Sequence, residues 1–234
     1  MQSSKSVVTV NTESLVETLD AVNDALFRRR RLTAANRKEL AGWIARRRGK
    51  PGAYAGMFAP TDQDLRSGVR VYTGELVMSG AAIGHVLGEE ACRALILLSV
   101  KDNPIREALE RATTGMLRRL RQTENVSKVH GMYCCGICTV AYWRNVMVGG
   151  LDRNEERLAA GMAALRAHRS KDGRWRRFPF YYTLLALSEM NLRPALDEVR
   201  YVAPLLERYV KMRVGDNTFS ERRHIISERI LARC

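Results

Sequence analysis

The heptapeptide ERATTGM at 110–116 returns as ERLAAGM at 156–162, 46 residues later. After each copy comes a loop and then an apolar stretch carrying threonine and alanine, CTVAYW at 138–143 and TLLALS at 183–188. The order of segment types therefore repeats along with the residues: amphipathic helix, loop, apolar helix. A period of about 45–50 residues with two helices per unit is the mark of helical-repeat architectures. The amphipathic members predict an outer layer facing water, and the apolar ones an inner layer buried by its neighbours.

The rest of the chain reads as helix as well. Leu15, Val16, Leu19, Val22 and Leu26 form one apolar stripe within 12–31, with capping residues at its start and the arginine run 28–31 at its end, where cations suit the negative end of the helix dipole. A second helix is expected after Thr33, with Leu40, Trp43 and Ile44 inward. These make an N-terminal helical pair over 1–50. Residues 51–72, rich in glycine and proline, read as a long loop. Helical hairpins are expected over 73–234, beginning with a small-residue helix over 73–100 that breaks near Gly88. Further helices are predicted over 104–122, 131–148, 152–169, 194–213 and 218–233, with no strand. The expectation is an all-α chain forming one domain over 1–234.

The block GMAALRAHRSKDGRWRRFPFYYTLLALSEM carries Asp172, Gly173, Trp175, Tyr181, Tyr182 and Thr183. It resembles one repeat of the α/α-toroid superfamily, the terpenoid cyclases and protein prenyltransferases. In those repeats an outer helix leads through an Asp-Gly turn and an aromatic into an inner helix rich in Tyr, Thr, Ala and Leu. The resemblance covers at most residues 50–212 and is specific only around 150–190. It implies an α/α-toroid-like array of hairpins, as a partial or open toroid or as an oligomer that completes the ring. It also implies an apolar, isoprenoid-like small molecule as partner. Asp62-Gln63-Asp64 is too little to carry over the acidic motif of the triterpene cyclases, and the zinc ligands of the prenyltransferases do not map onto this chain.

Charge points elsewhere. Lysine plus arginine outnumber aspartate plus glutamate by 39 to 25, a net charge of +14. That balance favours anionic partners and supports an alternative reading, a basic helical-repeat scaffold that binds nucleic acid or a protein. The arginine clusters are scattered along the chain, whereas a groove binder concentrates charge on one face. No apolar run is long enough to span a bilayer. The N-terminal stretch lacks the pattern of a secretory signal, so a cytoplasmic location with reduced thiols is expected.

Three of the five cysteines fall in HGMYCCGICTVAYW, 130–143. If one helix ran through this stretch, His130, Cys134 and Cys138 would share a face, while Cys134 and Cys135 would point about 100° apart. Such a helix wraps poorly around a tetrahedral zinc ion, which takes four ligands. Close packing of small side chains is therefore the favoured reading. A zinc site of His130, Cys134, Cys135 and Cys138 comes second and redox chemistry third, so no cofactor is assigned. Pocket candidates are Tyr54, Glu75, His85, His130, Tyr133, Cys134, Cys138, Trp175, Tyr181 and Tyr182. Arg174, Arg176 and Arg177 are candidates for gripping a phosphate or carboxylate. Glu89 and Glu90, after His85 and Gly88, read as acidic residues at a helix start. No catalytic residue is assigned.

Overall fold

The computed structural model describes residues 8–124 and 131–234. Among the described residues there are ten α-helices, one 3-10 turn and one two-stranded hairpin. The chain is all-α. It divides into two compact units: Met1–Val69 with Met78–Leu120, and Arg70–Val77 with Arg121–Cys234.

The first unit is built on α1 (Leu15–Phe27), α2 (Ala34–Ala45), the short α3 (Asp62–Ser67), α4 (Gly80–Leu98) and most of α5 (Asn103–Glu124). The Ser14 and Thr33 hydroxyls cap α1 and α2 by accepting the Glu17 and Asn36 N–H groups. Both helices pack on α4, which is buried along most of its length. Asp64, 1% exposed, serves two helices. In a capping box with Thr61 it starts α3, where its Oδ2 accepts the Thr61 N–H at 2.8 Å. It also accepts the Ser14 hydroxyl at 2.7 Å and the Leu15 N–H at 3.0 Å at the head of α1. Leaving such donors buried without a partner costs about 1–3 kcal/mol each, so the acidic triplet 62–64 is architectural at Asp64.

The long loop therefore contains a helix, and the expected helix over 73–100 begins only at Gly80, with Ser79 as its cap. Before it lie β1 (Val69–Arg70) and β2 (Leu76–Val77), a hairpin where no strand was expected. No break occurs at Gly88. A Cβ at Gly84 would stand 2.6 Å from the Gly52 carbonyl oxygen, and one at Gly88 would stand 2.7 Å from Met57. These glycines let residues 52–57 lie flat on α4, and contact of that closeness admits no side chain.

The second unit holds α6 (Gly136–Met147), α7 (Asn154–Ala167), α8 (Phe180–Glu189), α9 (Arg193–Tyr209) and α10 (Thr218–Leu231). The inner and outer roles follow the expected alternation. α6 and α8 are buried and pack on each other, while α7 and α9, each buried along one face, pack outside them and α10 closes on α8 and α9. The repeated heptapeptide has the same local task twice. Met116 and Met162 are both core residues. Gly115 and Gly161 are both contact points, Gly115 against the Ala55 carbonyl and Gly161 against the Trp143 indole.

Arginine clamps this unit from within. Arg144, 1% exposed, makes a two-pronged pair with Glu189, at 3.0 and 3.1 Å. Arg169 does the same to Glu198, which also accepts the Trp175 indole N–H at 2.8 Å. The Asp-Gly turn is closed by the Asp172 carboxylate, which accepts the Ser170 hydroxyl and the Arg174 N–H. The Ser170 hydroxyl holds that carboxyl below its ordinary range.

Candidate functional site

In the second unit, the end of α9, the following loop and the first turns of α10 border an open cleft of about 330 Å³. Tyr181, Tyr209, Arg213, Ser220, Arg223 and His224 line it, together with Met212 and Val214. Tyr181 is there because it is the second residue of α8, and Pro179 sets the preceding backbone extended. The Arg223 guanidinium lies 4.8 Å from the Tyr181 ring centroid, and its Nε donates to the Thr73 carbonyl at 2.7 Å. Arg174 lies 4.8 Å from the Phe180 ring and 5.8 Å from the Tyr209 ring, and donates to the Tyr209 hydroxyl. Burial, reinforced by Tyr209, pushes the Tyr181 phenol above its ordinary value, against the opposing pull of Arg223 and Arg174. The group stays a neutral donor. Aromatic faces, guanidinium forks and hydroxyls around one opening are the groups that suit an anion attached to an apolar body.

The cysteine stretch does not run as one helix. Gly131 and Cys134 have positive φ, and α6 begins at Gly136 with Cys135 as its N-cap residue. Cys134 and Cys135 are exposed, and Cys138, on the first turn, is buried. The three Sγ atoms all lie within 4.8 Å of one another. Burial, then the neighbouring Cys135 and Cys134, pushes the Cys138 thiol far above its ordinary range. The packing reading fits Cys138 alone, because Cys134 and Cys135 are exposed and lie outside the core. His130 lies outside the described residues.

In the first unit α4 carries a buried polar row. His85, 1% exposed, stacks on Tyr54 with ring centroids 4.3 Å apart, and its Nε2 lies 3.3 Å from Glu89 Oε1. The Glu90 carboxylate accepts from Asn23 at 3.1 Å, and Arg93 donates to Asn23 at 2.8 Å. Glu89 and Glu90 thus lie mid-helix in the interior and not at a helix start.

The remaining candidates are structural. Glu75, in the hairpin turn, accepts the Tyr182 N–H at 2.9 Å and so caps α8 from a distant segment. Tyr182 is fully buried with the Arg144 guanidinium 5.5 Å from its ring. Tyr133 is buried against Tyr142, and Trp175 against Phe180 and Tyr201. The three anion candidates part company: only Arg174 reaches a ring bordering the cleft, while the Arg176 N–H closes the turn onto the His168 carbonyl and the Arg177 carbonyl abuts Gly136. Sequence reasoning missed Tyr209, Arg213 and His224. The available signal was the break between the helix that ends at Tyr209 and the one that begins at Thr218, which brings Arg213 of the loop to the same opening as Arg223 and His224 of α10.

Comparison with family profiles, curated proteins and solved structures gives no match to this chain.

Proposed function

We propose that the second unit binds a small molecule with an apolar body and an anionic end, of the isoprenoid diphosphate type, in the cleft between α9 and α10. The observation that carries this reading is the convergence of Arg213 and Arg223 with the Tyr181 and Tyr209 rings on one opening of about 330 Å³, a size within the range of small-ligand sites. The toroid resemblance supports the same ligand class. Its inner and outer helices are matched in kind by α6 and α8 against α7 and α9, and an α/α-toroid-like arc is the architecture we propose for this row.

Calorimetric titration with a prenyl diphosphate tests the reading, with the prenyl alcohol and inorganic diphosphate as controls. The diphosphate ester should bind tighter than either part alone. Arg213→Ala should weaken it about tenfold, the loss expected for one charge-assisted hydrogen bond. Arg213 is the informative position because Arg223 also holds the hairpin. Equal affinity for ester and alcohol, or no binding by either, overturns the proposal. Tight binding of an oligonucleotide in place of the ester would move the reading to a basic scaffold.

A further inference from the structure

The cysteine cluster shares no residue with the cleft, and its exposed members Cys134 and Cys135 take no part in the core. Its loop is built. A Cβ at Gly131 would stand 2.0 Å from the Ala160 carbonyl oxygen, so the loop lies directly on α7. The Trp143 indole donates to the Gly131 carbonyl at 3.1 Å, and the Tyr133 N–H donates to the Thr139 hydroxyl at 3.1 Å. Tyr133 is buried. At the far end, a Cβ on Gly136 would stand 1.9 Å from the Arg177 carbonyl oxygen, so the start of α6 is held as closely. Between these anchors Cys134 takes φ 42°, a left-handed conformation that a non-glycine side chain adopts at a cost. The result is that two exposed thiols from the loop meet a buried one from the helix.

We infer that Cys134, Cys135 and Cys138 form a binding site for a thiophilic d10 cation, zinc by its availability and coordination preference. Zinc–sulfur bonds of about 2.3 Å at tetrahedral angles set the sulfurs about 3.8 Å apart. Three sulfurs already within 4.8 Å of one another reach that arrangement by small side-chain rotations. A disulfide uses two sulfurs and leaves the third unexplained. Cys135 makes no side-chain cap hydrogen bond, so its sulfur is not engaged in starting the helix. Three thiolates and one dication sum to one negative charge, and the first N–H groups of α6 offset it. The fourth position falls on the side where Cys134 and Cys135 are exposed and takes water, the ligand pattern of zinc sites that remain open to a further molecule. The site does not depend on the cleft reading, and its test uses no ligand of the cleft.

The full chain is reduced, stripped with a chelator and titrated anaerobically with Co²⁺. One equivalent should bind with a sulfur-to-cobalt charge-transfer band, and Zn²⁺ should displace it. Cys135→Ser should weaken Co²⁺ binding at least about tenfold, and Cys234→Ser should leave it unchanged. Because Cys135 is exposed, its variant keeps the fold, which circular dichroism verifies. Cys138→Ser, in the core, is read only alongside that control. Absence of the band, a band that survives Cys135→Ser, or equal loss in Cys234→Ser overturns the inference.

Discussion

At the residue scale, the same residue type does opposite work in different places. The arginine excess that points to an anionic partner is partly internal: Arg93, Arg144, Arg157 and Arg222 are all buried. No composition reveals that, because the partners, such as Glu189 for Arg144, lie 45 residues away. Cysteine divides the same way. Cys92 is buried in α4, and its thiol is pushed well above its ordinary value of 9.0 by burial, with Glu89 adding to the effect. The folded chain therefore keeps a proton that the unfolded chain releases. The associated stability is complete below that value and is lost progressively as pH rises from it through the raised value of the folded chain. Urea unfolding of the wild type and Cys92→Ala should diverge as pH rises above the ordinary thiol value, the wild type losing the more, by on the order of 1 kcal/mol per pH unit. Parallel curves from pH 8 to 10 would show that Cys92 ionises freely in the fold.

At the element scale, helices with a cap and a stripe were legible in the sequence, as α1 and α2 show with Ser14 and Thr33. Elements too short to carry a period were not. The six residues of α3 and the two-residue strands β1 and β2 leave no repeating pattern to read. The cysteine stretch was misread for a related reason. Apolarity continues through residues 131–135, but the positive φ at Gly131 and Cys134 holds the helix off until Gly136. That delay turns one apparent helix face into a loop and a helix end. The small residues of α4 were visible in the sequence, though not what they pack against, and Gly115 of α5 carried no such reading. Gly115→Ala would place a Cβ 2.0 Å from the Ala55 carbonyl oxygen. It should cost about 1–3 kcal/mol, since backbone and not a flexible side chain must move. Chemical denaturation measures this; a neutral substitution would mean the 54–56 turn is not held against α5.

At the scale of the whole molecule, units and chain order disagree. Residues 70–77 belong to the second unit, although most of that unit begins at Arg121. Arg222 lies 4.0 Å from the Tyr72 ring and donates to the Tyr72 carbonyl at 3.1 Å. Phe219 comes so close that a Cβ on Gly74 would stand 2.7 Å from it. Tyr72→Ala should therefore destabilise by about 3 kcal/mol. Hydrogen exchange should rise in α10 and at the start of α8, while α1 and α2 keep their protection. A loss confined to α1 and α2 would contradict the assignment of the hairpin to the second unit. That embedded hairpin also bears on how such a chain can be made and inherited. A ribosome releases these eight residues more than 140 positions ahead of the arginines that receive them, so the nascent chain must carry Tyr72 without its seat until α10 has been made. Nor can either unit pass to another gene as one uninterrupted exon-like piece: they must be copied together or lose their integrity.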